Sequence, residues 1–175
     1  NHRSLLLSPT ASGNCLLIYI LVRYLKLKSL ILVPTTSLVS QMYNDFREYG
    51  WDVANNCHTV FAGRDKGSEL PVIISTWQSI YKMQQKYFEQ YELVIGDEAH
   101  GFKSKSLTSI MTKCINAKYR IGTTGTLDGT LTHKLVLEGL FGKVYKVIST
   151  KKLIESKHLS PFTIKAILLK HPDSI

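Results

Sequence analysis

The stretch from Tyr91 to His100, Tyr-Glu-Leu-Val-Ile-Gly-Asp-Glu-Ala-His, constrains the fold more than any other part of the chain. Three apolar residues, Leu93 to Ile95, stop at two adjacent carboxylates, Asp97 and Glu98. A short apolar run bounded by polar residues reads as a buried strand. In an open α/β sheet, ligands bind at the carboxyl ends of such strands. Two acids there have separate uses. One can hold a metal ion bound to phosphates, and the other can orient a water and take its proton. The same pair could instead cap a following helix, since acids favour helix starts. The rest of the chain separates these readings.

Apolar runs bounded by turn residues predict strands at Ser4–Leu7, Ser29–Val33, Cys57–Phe61, Val72–Ser75, Leu93–Ile95, Tyr119–Gly122, Val144–Ile148 and Phe162–Leu169. Between them, helices are expected over Leu16–Leu27, Leu38–Tyr49, Ile80–Tyr87, Ser106–Ile115, His133–Leu140 and Leu153–His158. Gly50 and Gly142 read as helix stops. Strands alternating with helices argue for an α/β fold with a parallel sheet covered on both faces.

Before the first long helix lies a loop of small residues, Ser8-Pro9-Thr10-Ala11-Ser12-Gly13-Asn14-Cys15. A strand, such a loop and a helix make the architecture of a phosphate-binding loop, in which backbone N–H groups and a helix N-terminus cradle phosphates. The G-x-x-x-x-G-K-[ST] pattern is met only in part, because Asn14 stands in the Lys position and Cys15 in the Ser/Thr position. An ordinary strand-to-helix turn is the competing interpretation.

The 22 Lys and Arg outnumber 13 Asp and Glu, a net charge of +9 that favours a polyanionic partner, nucleic acid first. Three widely spaced cysteines, Cys15, Cys57 and Cys114, form neither a zinc pattern nor a disulfide framework, which suits a reducing cytosol. The longest apolar run, Leu16 to Val22, is far short of the ~20 residues that span a bilayer. The chain starts at Asn1, within what already reads as structure, so a longer parent is expected.

The order of these pieces resembles the first motor domain of superfamily-two helicases. Pro9-Thr10-x-x-Gly13 looks like motif I, and Val33-Pro34-Thr35-Thr36 through Gln41 like motif Ia. Thr76-Trp77-Gln78-Ser79 is similar to the strand-contacting motif after it. Asp97-Glu98-Ala99-His100 spells the DEAH box, and Thr123-Thr124-Gly125-Thr126 occupies the place of motif III. Leu140-Phe141-Gly142, then Val147, Ser149, Thr150, Lys152 and Leu153, then Ile164 to Leu169 and His171-Pro172-Asp173, are similar to the branch encoded by T-even bacteriophages.

The resemblance implies a RecA-like P-loop NTPase domain over residues 1–148 and a connector over 149–175 leading to a second motor domain. It implies ATP and Mg2+ as cofactors. Branched or single-stranded DNA and RNA–DNA hybrid are the implied partners, with strand annealing also open, in the cytoplasm of an infected host. Pro9, Thr10, Ala11, Ser12, Gly13, Asn14 and Cys15 would cradle the nucleotide. Asp97 would hold the metal ion, Glu98 would orient the attacking water, and His100 would couple the site to Thr123, Thr124, Gly125 and Thr126. Pro34, Thr35, Thr36, Gly63, Thr76, Trp77 and Gln78 would line the track of one strand, positioning phosphates without reading sequence. Trp77 could stack on a base, although a Trp just past a strand end favours the core. Lys103, Lys105, Lys113 and Lys118 are expected on a solvated helix face.

Asn14 and Cys15 depart from the family pattern where it matters. A neutral amide replaces a full positive charge, and a soft thiol replaces the hydroxyl that suits a hard cation. Weak nucleotide binding and little hydrolysis are therefore expected. The alternatives are a degenerate, non-hydrolysing nucleic-acid-binding or annealing module, or the motor subunit of a restriction enzyme.

Overall fold

Strand after strand delivers its carboxyl end to the same edge of one sheet, because every strand pair is parallel. In the computed structural model the described residues are 2–9, 13–61, 63, 65–101, 104–125, 131–147, 152, 155 and 156. Seven strands are formed: β1 (His2–Leu7), β2 (Ser29–Val33), β3 (Cys57–Val60), β4 (Val72–Thr76), β5 (Leu93–Gly96), β6 (Tyr119–Thr124) and β7 (Val144–Lys146). Their spatial order is β3-β4-β2-β5-β6-β1-β7. The expected strand Phe162–Leu169, and all of the expected helix Leu153–His158 except residues 155 and 156, lie outside the described residues.

Helices α1 (Asn14–Leu25), α2 (Thr36–Glu48) and α3 (Val53–Asn56) cover one face. The other face carries α4 (Trp77–Ile80), α5 (Gln85–Phe88), α6 (Ser104–Lys113) and α7 (Leu131–Phe141). Alternation along β2 divides the core: Leu30 and Leu32 pack with the α4–α7 layer, Ile31 and Val33 with the α1–α3 layer. A strand buried on both faces reads as a continuous apolar run, and all five residues of β2 are buried. In α2 the spacing of Val39, Met42 and Phe46 turns one side inward, and the Thr35 hydroxyl caps the helix by accepting from the Leu38 N–H at 3.3 Å.

Three expectations are corrected. The helix predicted over Ile80–Tyr87 is two separate turns, α4 and α5. The Lys113 ammonium, reaching across from α6, donates to the carbonyls of Tyr81 and Met83 at 2.9 and 2.8 Å. Those carbonyls are thereby satisfied without a continuing helix. Lys113 is consequently part-buried and structural, not part of a solvated face. Lys118, by contrast, is exposed and paired with Glu92. Helix α1 also begins earlier and ends earlier than its composition indicates. Gly13, at φ 87°, turns the chain into it, and Lys26, at φ 52°, closes it with its N–H on the Val22 carbonyl.

Candidate nucleotide site and strand track

β1 and β5 are separated in the sheet only by β6. Two strand spacings amount to roughly 10 Å. Leu7 pairs with Thr124 and Gly96 with Gly122, so the loop after β1 and the acids after β5 leave the same sheet edge. The Ser8 N–H bonds to the Thr124 carbonyl at 3.0 Å, and the Asp97 N–H to the Leu32 carbonyl at 2.9 Å. Gly13 and Asp97 are thereby brought to one side of the fold, as a shared nucleotide cleft requires.

Asp97 is 7 % exposed, and its carboxylate accepts from the Thr123 hydroxyl at 2.5 Å. Burial pushes its carboxyl above the ordinary range, while the Thr123 hydroxyl, the Glu98 backbone and His100 pull the other way. Glu98 itself adopts φ 50°, a left-handed conformation uncommon for a residue with a Cβ. The 3-10 turn Ala99–Gly101 follows at once, with the Gly101 N–H on the Glu98 carbonyl at 2.8 Å. His100 Nδ1 lies 2.8 Å from Thr124 Oγ1 and 3.3 Å from Glu98 Oε2. A carboxylate can only accept, so bonding Glu98 requires the proton on Nδ1; the Thr124 hydroxyl then accepts from the same N–H, and this shared bond links Glu98 to β6. Asp97 and His100 are thus fastened to successive threonines, Thr123 and Thr124, both fully buried. Gly125 follows half-buried, and Thr126 lies outside the described residues.

Of the phosphate loop, Pro9, Gly13, Asn14 and Cys15 are described; Thr10, Ala11 and Ser12 are not. Cys15 is half-buried at the start of α1 and hydrogen-bonded to Asp45 and Tyr49 of the next layer. Burial first, then Asp45, pushes its thiol up to about 12, and the charge of Asp97 adds to this. A protonated thiol engaged with Asp45 is a poor ligand for a hard cation. The donor set therefore fits Mg2+ at Asp97 and does not fit it at Cys15. Asp45 and Tyr49 carried no signal in the sequence, because nothing in the spacing of a helix reveals what its neighbour places against it.

The other half of the same edge is formed by the ends of β2, β4 and β3. Pro34 is half-buried there, and Thr35, Thr36, Gly63 and Gln78 are exposed. The Gln78 side-chain amide donates to the Pro34 carbonyl at 3.0 Å, tying the two motifs together. Thr76 and Trp77 point inward instead. Thr76 is 4 % exposed with its hydroxyl 2.8 Å from that of Ser79, and Trp77, at 7 %, belongs to the core. A ring so placed offers no face to a base, so Trp77 packs in the core, as its position just past a strand end favours, and the stacking role is set aside.

Comparison with known proteins gives this geometry a family. The model for ResIII, described as type III restriction enzyme, res subunit, matches residues 1–129. The chain belongs to the ResIII family. Its sequence is 32 % identical over 181 residues to the ATP-dependent DNA helicase UvsW of Enterobacteria phage T4, covering 99 % of this chain and 36 % of that protein. It is 27 % identical over 167 residues to the DNA 3'-5' translocase XPB2 of Sulfurisphaera tokodaii, covering 88 % of this chain and 37 % of that one. A crystal structure of T4 UvsW superposes with a TM-score of 0.76 at 33 % identity, over 85 % of this chain and 32 % of that one. This ResIII domain is a RecA-like first motor domain of the superfamily-two type, and it spans about a third of the length of those curated relatives.

Proposed function

We propose that this ResIII domain is the first motor half of an ATP-dependent DNA helicase whose hydrolysis is weakened by its own phosphate loop. The reading is supported above all by one arrangement: Asp97 and His100 are tied to Thr123 and Thr124 on the strand beside β1, at the edge where the loop containing Gly13 begins.

In this reading Pro9 to Cys15 cradle the phosphates, and Asp97 holds Mg2+ through oxygen. The ion, when bound, neutralises charge on the terminal phosphates. Glu98 orients the attacking water and accepts its proton, and φ 50° at this residue aims the side chain by backbone geometry. His100 and the run Thr123 to Thr126 carry the state of the site to β6. Asn14 supplies no charge to the phosphates, which removes a preorganised interaction. The partners proposed are single-stranded or branched DNA, RNA–DNA hybrid, and a second RecA-like domain reached through residues 149–175, in the host cytoplasm. Among the described residues no helix is long and apolar enough to cross a membrane.

The half-buried, Asp45-bonded Cys15 also favours a second reading, a nucleic-acid-binding or annealing module without ATPase. DNA affinity of the full-length protein, measured with and without ATP, separates the two. A nucleotide-dependent change in affinity supports the motor, and identical affinities support the passive module.

A further inference from the structure

Helix α4 carries the track residue Gln78, yet it has only four residues and ends at Ile80. A single turn does not hold itself together in water, so its shape is set by what packs and bonds against it. From the last residue of α6, the Lys113 ammonium donates to the carbonyls of Tyr81 and Met83 at 2.9 and 2.8 Å. We propose that Lys113 is a positioning residue of the strand track: without touching the strand, it fixes the rear of the α4 turn and so presents Gln78 to it. The inference rests on the nucleic-acid reading given above and adds to it a residue remote from the track in sequence.

The bonds between Lys113 and the track are continuous. The Tyr81 N–H bonds the Trp77 carbonyl at 3.0 Å and the Met83 N–H the Ile80 carbonyl at 2.8 Å, so residues 77–83 form one wound segment. Lys113 takes the carbonyls at the end of that segment. At its beginning, the Gln78 amide donates to the Pro34 carbonyl at 3.0 Å. Trp77 and Ile80 are buried in the core and anchor one side of the turn. Apolar burial has no direction, whereas hydrogen bonds weaken steeply away from their line. The bonds to Lys113 and to Pro34 therefore decide how the turn is rotated, and with it where Gln78 stands.

Lys113 is itself well held. α6 buries Leu107, Ile110 and Met111 completely, which fixes the helix that carries it. Its Nζ also lies 5.6 Å from the centre of the Phe88 ring in α5. Cations are favoured where helices end, and this one stands at the ends of both α6 and α4. An ammonium has three donors, and two are engaged on carbonyls, so little is left for a phosphate. A natural control lies close by in the chain. The Asn116 amide donates to the Glu89 carbonyl at 2.7 Å, a brace of the same kind at the end of α5, which carries no track residue.

The test uses the full-length protein and an oligothymidylate of roughly twenty residues, read by fluorescence anisotropy across a salt series. Lys113→Met keeps the unbranched side chain and removes the donors. Its affinity is expected to fall roughly 3–10-fold with the salt slope unchanged, because no phosphate contact is lost. Combined with Gln78→Ala, it should lose no more than the weaker-binding single variant, since both changes act through one turn. Asn116→Ala should lower the melting temperature yet bind within about twofold of wild type. A salt slope reduced by about one would make Lys113 a phosphate ligand and overturn the proposal. Additive losses in the double variant, an equal loss in Asn116→Ala, or unchanged affinity in Lys113→Met would overturn it too. If Lys113→Met does not melt cooperatively, Lys113→Gln, which retains an amide donor, carries the same cycle with the same readings. A wild-type protein that does not bind oligothymidylate would instead overturn the nucleic-acid reading.

Discussion

The Thr123 hydroxyl donates to the carboxylate of Asp97 at 2.5 Å, across the boundary between β6 and the end of β5. The cation proposed for Asp97 requires a carboxylate of fixed orientation, and this bond supplies it. Thr123→Val keeps the shape and removes the donor. In an Asn14→Lys/Cys15→Ser background, where hydrolysis is expected to be restored, Thr123→Val is expected to lower kcat by roughly 10–100-fold, the usual cost of losing a partner of a metal-holding group. Thr124→Val should instead leave basal hydrolysis in place and reduce its stimulation by DNA, because its partner is His100. Steady-state ATPase with and without single-stranded DNA checks both.

Asp97 also makes a stability prediction. Its carboxyl is raised above the ordinary aspartate range, chiefly by burial, so the folded chain binds that proton more tightly than the unfolded chain does. Stability is therefore highest where the group is protonated in both states and falls as pH rises through the raised value. Asp97→Asn, which can still accept from Thr123, should melt above wild type at neutral pH. The difference should shrink towards zero as pH drops below about 4. Thermal melts at a series of pH values measure it. A variant less stable than wild type at neutral pH would contradict the assignment.

The inward position of Trp77 separates it from its neighbour Gln78 in binding experiments. Trp77→Phe removes an indole N–H that has no hydrogen-bond partner among the described residues, so affinity for single-stranded DNA should stay within about twofold of wild type. Gln78→Ala breaks the bond to the Pro34 carbonyl and should weaken the same strand roughly 3–10-fold. Anisotropy titrations at fixed salt compare the two.

Gly142 closes α7 at φ 89°, where an added Cβ would approach Arg3 Cβ to 2.8 Å and the Arg3 carbonyl oxygen to 3.0 Å. Gly142→Ala therefore combines backbone strain with a clash against β1. It should cost roughly 2–4 kcal/mol, read as a lower urea midpoint with unchanged slope. The strand most affected is the one that leads into the phosphate loop.

Much of this was readable before any coordinates. The acids after Leu93–Ile95, the small-residue loop before α1 and the alternation of apolar runs all express local rules, and local rules survive in the sequence. Gly50 and Gly142 as helix stops belong to the same class. What escaped was set by neighbours distant in the chain. Lys113 divides the stretch 77–88 into two turns from 30 and 32 residues away, and no helical periodicity contains that information. Asp45 and Tyr49 enclose Cys15 because α1 and α2 lie side by side. The left-handed backbone of Glu98 is of the same kind, a conformation that its side chain does not favour and its surroundings impose.

The central claim is that this is a motor site held back by two residues of its phosphate loop. Its most direct test is DNA-stimulated ATP hydrolysis by the full-length protein, wild type against Asn14→Lys/Cys15→Ser. The account predicts a gain of at least roughly 100-fold in kcat/KM, with Glu98→Gln abolishing the gain. A double variant that folds, binds DNA and hydrolyses ATP no faster than wild type would contradict it.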